Sequence, residues 1–303
     1  MTPRRVLVAG GNGQVGRELA RLADPARWEL SRPDRSQLDL ADEGAVRAAL
    51  AQGRWDAVIN CAAWTDVDGA ESHADDARRV NAAAAGWLAQ AARAEGLPMV
   101  HFSTDYVFSG TSEAPYAETA PTDPINVYGQ TKLEGEELVM AAHPRAIILR
   151  IARVLSPHRT NFLKTMLALG AQRDQLSVVS DQTGCPTGAS DAAGAALAVL
   201  EQMLDDPGRV GGIYHCTNAG QASWFELAAT IFALAEQKGY KAPQLTPVMA
   251  SEFKTIAARP RNVIMACEKL YRDFAIRLRP WPDMVAEVID SLALPSPTDR
   301  NWK

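Results

Sequence analysis

Val6-Leu-Val-Ala-Gly-Gly-Asn-Gly-Gln-Val-Gly16 is the stretch on which the fold is decided. Its first four residues are a short, valine-rich apolar run, the pattern of a strand buried on both faces. The glycines then read as G-x-G-x-x-G from Gly11, Gly13 and Gly16, or as G-x-x-G-x-x-G from Gly10, Gly13 and Gly16. Arg17 to Ala23 follows with helical periodicity. In either frame the glycines allow a tight turn, close approach of backbone to a pyrophosphate, and close helix–strand packing, with the phosphate at the helix amino terminus. Strand, glycine turn and helix stand in the order that a dinucleotide site requires.

Downstream segments repeat the theme. Trp28-Glu-Leu30 is the next apolar piece, and Ser31-Arg32-Pro-Asp34-Arg35 follows it. An acidic residue here would suit NAD, whereas arginines suit the 2′-phosphate of NADP. The reading taken is NADPH through Arg32 and Arg35, with NADH or a plain solvated loop as the alternatives. Gln37 to Leu40 opens a helix from Asp42 to Gln52, for which Asp42 is a suitable cap. Trp55 to Asn60 is a second buried strand, and the small residues of Cys61-Ala62-Ala63 would let an adenosine–pyrophosphate lie on its end. The alanine-rich Ser72–Glu95 reads as one long helix closed by Gly96 and Pro98.

Met99 to Ser103 is another strand, with Ser103 and Thr104 at its carboxyl end, the edge at which open parallel sheets bind ligands. There the two hydroxyls could bond a substrate carbonyl, or simply form a turn. Ala146 to Ile151 is a further strand, so the pattern is βαβα and the fold class α/β: a Rossmann-type doubly wound parallel sheet with a smaller, interleaved C-terminal lobe. The division expected is a dinucleotide-binding domain over 1–152, to which later segments return, and a mainly substrate-binding lobe over 153–303. In that lobe helices are expected at Asn161–Leu169, Asp191–Met203, Trp224–Lys238 and Pro282–Leu292, and strands at Leu176–Val179 and Gly212–Cys216.

Composition excludes several classes. A net charge of −5 offers no broad basic surface to nucleic acid. No apolar run reaches the roughly 20 residues of a membrane span, and the amino terminus lacks a signal peptide's apolar region, so a cytoplasmic protein is expected. The four cysteines are widely spaced and the five histidines show no metal-ligand pattern, so buried free thiols and no metal site are expected.

Tyr128-Gly-Gln-Thr-Lys132 carries the chemistry. Its i, i+4 spacing puts phenol and ammonium on one helix face, about 5–6 Å apart at Cβ. An ammonium beside a phenol would lower the phenol's pKa and make a proton donor for carbonyl reduction. The pattern is common by itself, and an exposed pair is its other reading.

Together with Asn60 to Asp68, Phe102 to Phe108, Asn161-Phe162, Asp181 to Thr187 and Arg259 to Asn262, these motifs make the chain resemble the extended short-chain dehydrogenases/reductases, and within them the dTDP-4-dehydrorhamnose reductases, over nearly its whole length. The resemblance implies that Gly10, Gly13, Gln14, Val15 and Gly16 cradle the cofactor phosphates, Asp39 and Leu40 lie by the adenine, and Ala62 and Ala63, with Thr65, line the cofactor path. It implies a catalytic Thr104, Tyr128 and Lys132, and a nucleotide-sugar substrate touching Thr65, Val67, Thr104 and Asp105. A homodimer is left open. After Arg150 that family usually reads Thr-Ser-Trp, with the indole near the sugar; here Ile151-Ala152-Arg153 stands instead. Arg153 can bond sugar hydroxyls or a phosphate but supplies no apolar indole face. Two alternatives stay beside the reductase: an enzyme reducing or epimerising another nucleotide-linked sugar, and a non-catalytic dinucleotide-binding subunit.

Overall fold

Residues 2–292 of the computed structural model are described; Met1 and 293–303, the end of the expected second lobe, lie outside them. The strands are β1 (Arg4–Ala9), β2 (Trp28–Ser31), β3 (Ala57–Asn60), β4 (Met99–Thr104), β5 (Ile147–Ile151), β6 (Val154–Leu155), β7 (Gln175–Val179), β8 (Thr183–Gly184), β9 (Thr187–Gly188), β10 (Gly212–His215), β11 (Ala222–Ser223), β12 (Gln244–Val248) and β13 (Asn262–Val263). The helices are α1 (Gln14–Leu22), α2 (Glu43–Gln52), α3 (Val67–Ser72), α4 (Ala74–Arg78), α5 (Ala84–Ala94), α6 (Val127–Ala142), α7 (Phe162–Gln172), α8 (Ala189–Asp205), α9 (Trp224–Glu236), α10 (Glu268–Phe274) and α11 (Trp281–Ser291).

Six strands form one parallel sheet in the order β10-β5-β4-β3-β1-β2. Strand alternation explains why it is covered on both faces. Val6 and Val8 of β1 point into a core with Val15 and Leu19 of α1 and the alanine stripe of α8. Leu7 and Ala9 point the other way, towards Val46 and Leu50 of α2, Leu88 of α5 and Val139 of α6. The chain moves outward from β1 in opposite directions, to β2 and then to β3, so a crevice opens between the carboxyl ends of β1 and β3.

The C-terminal half is interleaved with this sheet. Residues 153–188 leave it, but α8 and β10 return, β10 pairing with β5 from Gly212↔Ile147 to His215↔Arg150. A separate core gathers α7, α9, α11, Leu176 and Val178. There β7 pairs with β12 and β8 lies between β11 and β13. The strand β12 and the helix α10 carry no signal that the sequence reading used; Pro247 and mostly exposed side chains disguise β12 as a loop.

Two local expectations are corrected. Gln37–Leu40 is a turn ahead of α2, held by the Asp34 carboxylate accepting from the Ser36 and Gln37 amides, although Asp42 does cap α2 by accepting from Ala45 N. Ser72–Glu95 is not one α-helix. It breaks at His73, and a π-turn at Arg79–Ala83 separates α4 from α5. The extra residue in that turn brings Asn81 inward, where Oδ1 accepts from Trp64 N (2.8 Å) and Nδ2 donates to Thr131 Oγ1 (3.0 Å). Asn81 thereby ties the loop after β3 to α6.

An ion pair fixes α6 against the sheet. Arg150 on β5 donates to both Glu136 oxygens, Nε–Oε1 2.8 Å and Nη2–Oε2 2.6 Å, with both side chains 2% exposed. Phe108 lies 5.0 Å from the guanidinium and His215 Nε2 is 3.5 Å from Nη1. Removing one partner strands a buried charge, at a cost of about 3–5 kcal/mol. Urea unfolding of Arg150→Met should show that loss, and the double variant Arg150→Met/Glu136→Leu should recover a substantial part of it.

Candidate functional site

The carboxyl ends of β1, β3, β4 and β5 open into one cleft of about 740 Å³, a size in the range of cofactor and small-ligand sites. The glycine turn forms one wall. Gly10 has φ +74°, and a Cβ there would lie 2.5 Å from Ala62 N, so this turn and the loop after β3 meet only because the side chain is absent. Gly13 N donates to Gly10 O at 3.0 Å, and α1 starts at Gln14. The unpaired first-turn amides of a helix are therefore at the cleft wall. Opposite them, Asn60 Oδ1 accepts from Ala62 N (3.0 Å) while Asn60 Nδ2 donates to His101 Nδ1 (3.0 Å), which holds Cys61–Ala63 in place.

The far end of the cleft brings Tyr128, Lys132 and Thr104 together. Asn126 caps α6 through Gly129 N (2.8 Å), and a Cβ on Gly129 would lie 2.2 Å from Tyr106 O. That contact presses the first turn of α6 against the turn after β4. It sets the Tyr128 ring edge-on to Tyr106, centroids 5.5 Å apart. Thr104 Oγ1 accepts from Tyr106 N (3.2 Å) and donates to Asp105 Oδ1 (3.0 Å). Lys132 Nζ donates to Phe102 O at 2.7 Å.

The expected electrostatics of the pair are corrected. Burial pushes the Tyr128 phenol well above its ordinary 10.0; the Thr104 hydroxyl opposes this, and Asp105 and Tyr106 add to it. Lys132 is directed at the Phe102 carbonyl, not at the phenol, and does not lower it. Tyr128 thus holds its proton firmly. Burial likewise raises Asp105 to about 6 against the pull of Arg153, and lowers Lys132 to about 8 against Glu136 and Cys61.

Most of the residues singled out in the sequence line this cleft: Gly10, Gly13, Gln14, Val15, Arg35, Asp39, Leu40, Ala62, Ala63, Thr65, Val67, Thr104, Asp105, Tyr128, Lys132 and Arg153. Two do not. Gly16 packs behind the turn against Gly11, and Arg32 donates to Gly11 O (3.3 Å), bracing the turn from outside. Arg35 is 86% exposed on the rim, 3.7 Å from Asp39. Arg153 lines the cleft with its donors directed to Ala222 O (2.7 Å) and Gln182 O (2.9 Å), its guanidinium 4.1 Å from the Trp224 ring. An indole from α9 thus borders the cleft, with Arg153 stacked on its ring and Phe162 packed against it. The sequence reading missed Trp224 as a wall, along with Arg159 and Thr160; no spacing signal connects them to the distant glycine turn. Among the cysteines, all free, Cys185 and Cys216 are buried, while Cys61 and Cys267 are only half-buried.

Residues 4–294 match the family model described as the RmlD substrate binding domain. The chain belongs to the RmlD substrate-binding-domain family. It is 38% identical over 291 residues to a dTDP-4-dehydrorhamnose reductase of Sinorhizobium fredii, covering 96% of this chain and 98% of that one. It is 37% identical over 298 residues, 98% of each, to a probable dTDP-4,6-dihydroxy-2-methyloxan-3-one 4-ketoreductase of Streptomyces antibioticus. Among solved structures it resembles dTDP-4-dehydrorhamnose reductase from Bacillus anthracis in complex with NADP, at 33% identity and a TM-score of 0.89, covering 95% of this chain and 99% of that chain.

For this RmlD-family chain the lysine gives a test that needs no ligand. Native Lys132 releases its proton near 8, whereas its ordinary value is 10.5. Between the two the unfolded chain binds more protons, so this group's contribution to stability grows as pH rises from about 8 to about 10.5. In urea melts at about pH 7.5 and about pH 10, wild type should gain on Lys132→Met at the higher pH. A difference that stays constant would mean that the ammonium is not desolvated.

Proposed function

We propose that this chain is an NAD(P)H-dependent reductase that turns the C4 ketone of dTDP-4-dehydro-β-L-rhamnose into the hydroxyl of dTDP-L-rhamnose, closing dTDP-rhamnose biosynthesis. The observation that carries this reading is the continuity of the cleft, which runs from the glycine turn to Thr104, Asp105 and Tyr128. Two buried oxygens without a protein partner, Ser103 Oγ and Asp105 Oδ2, belong to that reactive end and suit the hydroxyls of a sugar.

The residues present fit a dinucleotide. Gly10, Gly13, Gln14 and Val15 would hold its diphosphate, Asp39, Leu40, Ala62 and Ala63 its adenosine end, and Arg35 a 2′-phosphate, which favours NADPH and leaves NADH usable. When bound, the cofactor supplies a hydride from its nicotinamide. The protein's share is position and protons. Tyr128, protonated through burial, donates to the carbonyl oxygen; Thr104 holds that oxygen beside the phenol; Lys132, anchored on Phe102 O, is assigned to the ribose. Thr65, Val67, Asp105 and Arg153 are assigned to the nucleotide sugar, its small-molecule partner. Phe162 of α7 and Trp224 of α9 would wall that sugar. Free thiols accord with work in the cytoplasm.

A second reading, reduction of a different dTDP-linked 4-keto sugar, is favoured by Arg153 and by the Streptomyces relative named for such a ketoreductase. NADPH consumption with dTDP-4-dehydro-β-L-rhamnose tests the main reading, and other dTDP-linked 4-keto sugars test the second. Tyr128→Phe should lose about 10²–10⁴-fold in turnover, the ordinary worth of a positioned proton donor, while NADPH binding stays nearly normal. A variant that turns over at the wild-type rate would remove Tyr128 from the chemistry.

A further inference from the structure

Three non-glycine residues among those described adopt left-handed backbone, and two of them, Arg153 (φ 46°) and Arg159 (φ 55°), line the cleft. The third, Ala275, is the ordinary C-cap of α10. Side chains rarely take this conformation, and where it persists the surroundings impose it. For Arg159 the surroundings are a loop stitched to α1. Ser156 Oγ donates to Gln14 Oε1 at 2.7 Å, Asn161 Nδ2 donates to the same oxygen at 2.9 Å and to Ser156 O at 2.7 Å, and His158 Nε2 lies 3.0 Å from the buried Glu18 Oε1. Arg159 is thereby fixed within two residues of an anchor on Gln14, the first residue after the glycine turn.

The other cations on the cleft wall are engaged. Arg35 pairs with Asp39, Lys132 donates to Phe102 O, and Arg153 donates to two carbonyls over Trp224. Arg159 has neither an ion pair nor a hydrogen-bonding acceptor for its guanidinium among the described residues. The glycine turn contributes backbone amides and no cation of its own, yet a diphosphate brings two negative charges.

We propose that Arg159 is a diphosphate-binding residue, reaching from the C-terminal half of the chain over the glycine turn to the diphosphate of the nicotinamide cofactor. This rests on the reading that the turn holds a dinucleotide. The diphosphate of the nucleotide sugar offers the same chemistry, but the anchoring of the loop on Gln14 and Glu18 places Arg159 at the cofactor's end of the cleft.

Arg159→Gly removes the charge and suits the left-handed backbone, so the variant should melt no lower than wild type. NADPH and NADH affinities, measured by nucleotide fluorescence, should both weaken by about tenfold and by similar factors. Their salt dependence should flatten. dTDP binding, measured by calorimetry, should be unchanged, and Arg159→Lys should restore much of the dinucleotide affinity. The proposal is overturned by unchanged dinucleotide affinity, by a loss confined to dTDP, or by a loss confined to NADPH, which would point to the 2′-phosphate instead. Wild-type protein that binds neither dinucleotide would bring down the parent reading and this one with it.

Discussion

The pair formed by Arg150 and Glu136 is the constraint on which the site depends. Two charges taken out of water need excellent geometry to persist, and here the fork of the guanidinium meets both carboxylate oxygens. Glu136 stands four residues beyond Lys132, which stands four beyond Tyr128, so anchor and chemistry share one face of α6. Fixing the anchor to β5 sets the rotation of the helix. That rotation presents Tyr128 to Thr104 at the end of β4 and lets Lys132 reach Phe102 O.

Close backbone approach completes what the ion pair begins. Gly10 admits Ala62 on one side of the cleft, and Gly129 admits Tyr106 O on the other. Between these contacts lie two polar atoms of cleft-lining residues that have no protein partner, Ser103 Oγ and Asp105 Oδ2. Behind the walls, polar groups pair with one another, Asn60 with His101 and Asn81 with Thr131. At the reactive end of the cleft, unpartnered oxygens on lining residues suit ligand recognition more than folding stability.

The parts legible in the sequence are those with a local signature. The valine run of β1, the glycine turn and the Asp42 cap of α2 each follow from neighbouring residues, as does the alternation that buries β1 on both faces. The π-turn at Asn81 is not legible, because the partner it serves, Thr131, lies fifty positions away. The low basicity of Lys132 and the firmly held proton of Tyr128 come from burial, which no i, i+4 pattern reveals. Arg153 stands out in the sequence as a departure, but its stacking on Trp224 requires the fold of the C-terminal half. Arg32 was plausible by position and proved to brace the turn from behind.

The return of β10 to the edge of the sheet also bears on how the molecule is made. Until residue 215 has emerged during synthesis, β5 is an open edge and Arg150 lacks the imidazole that flanks it in the finished protein. The first half of the chain, although it carries Thr104, Tyr128 and Lys132, is an incomplete sheet when it leaves the ribosome. The sheet that carries Thr104, Tyr128 and Lys132 is therefore completed by the second half of the chain, and the two halves are poor candidates for separation into independent modules.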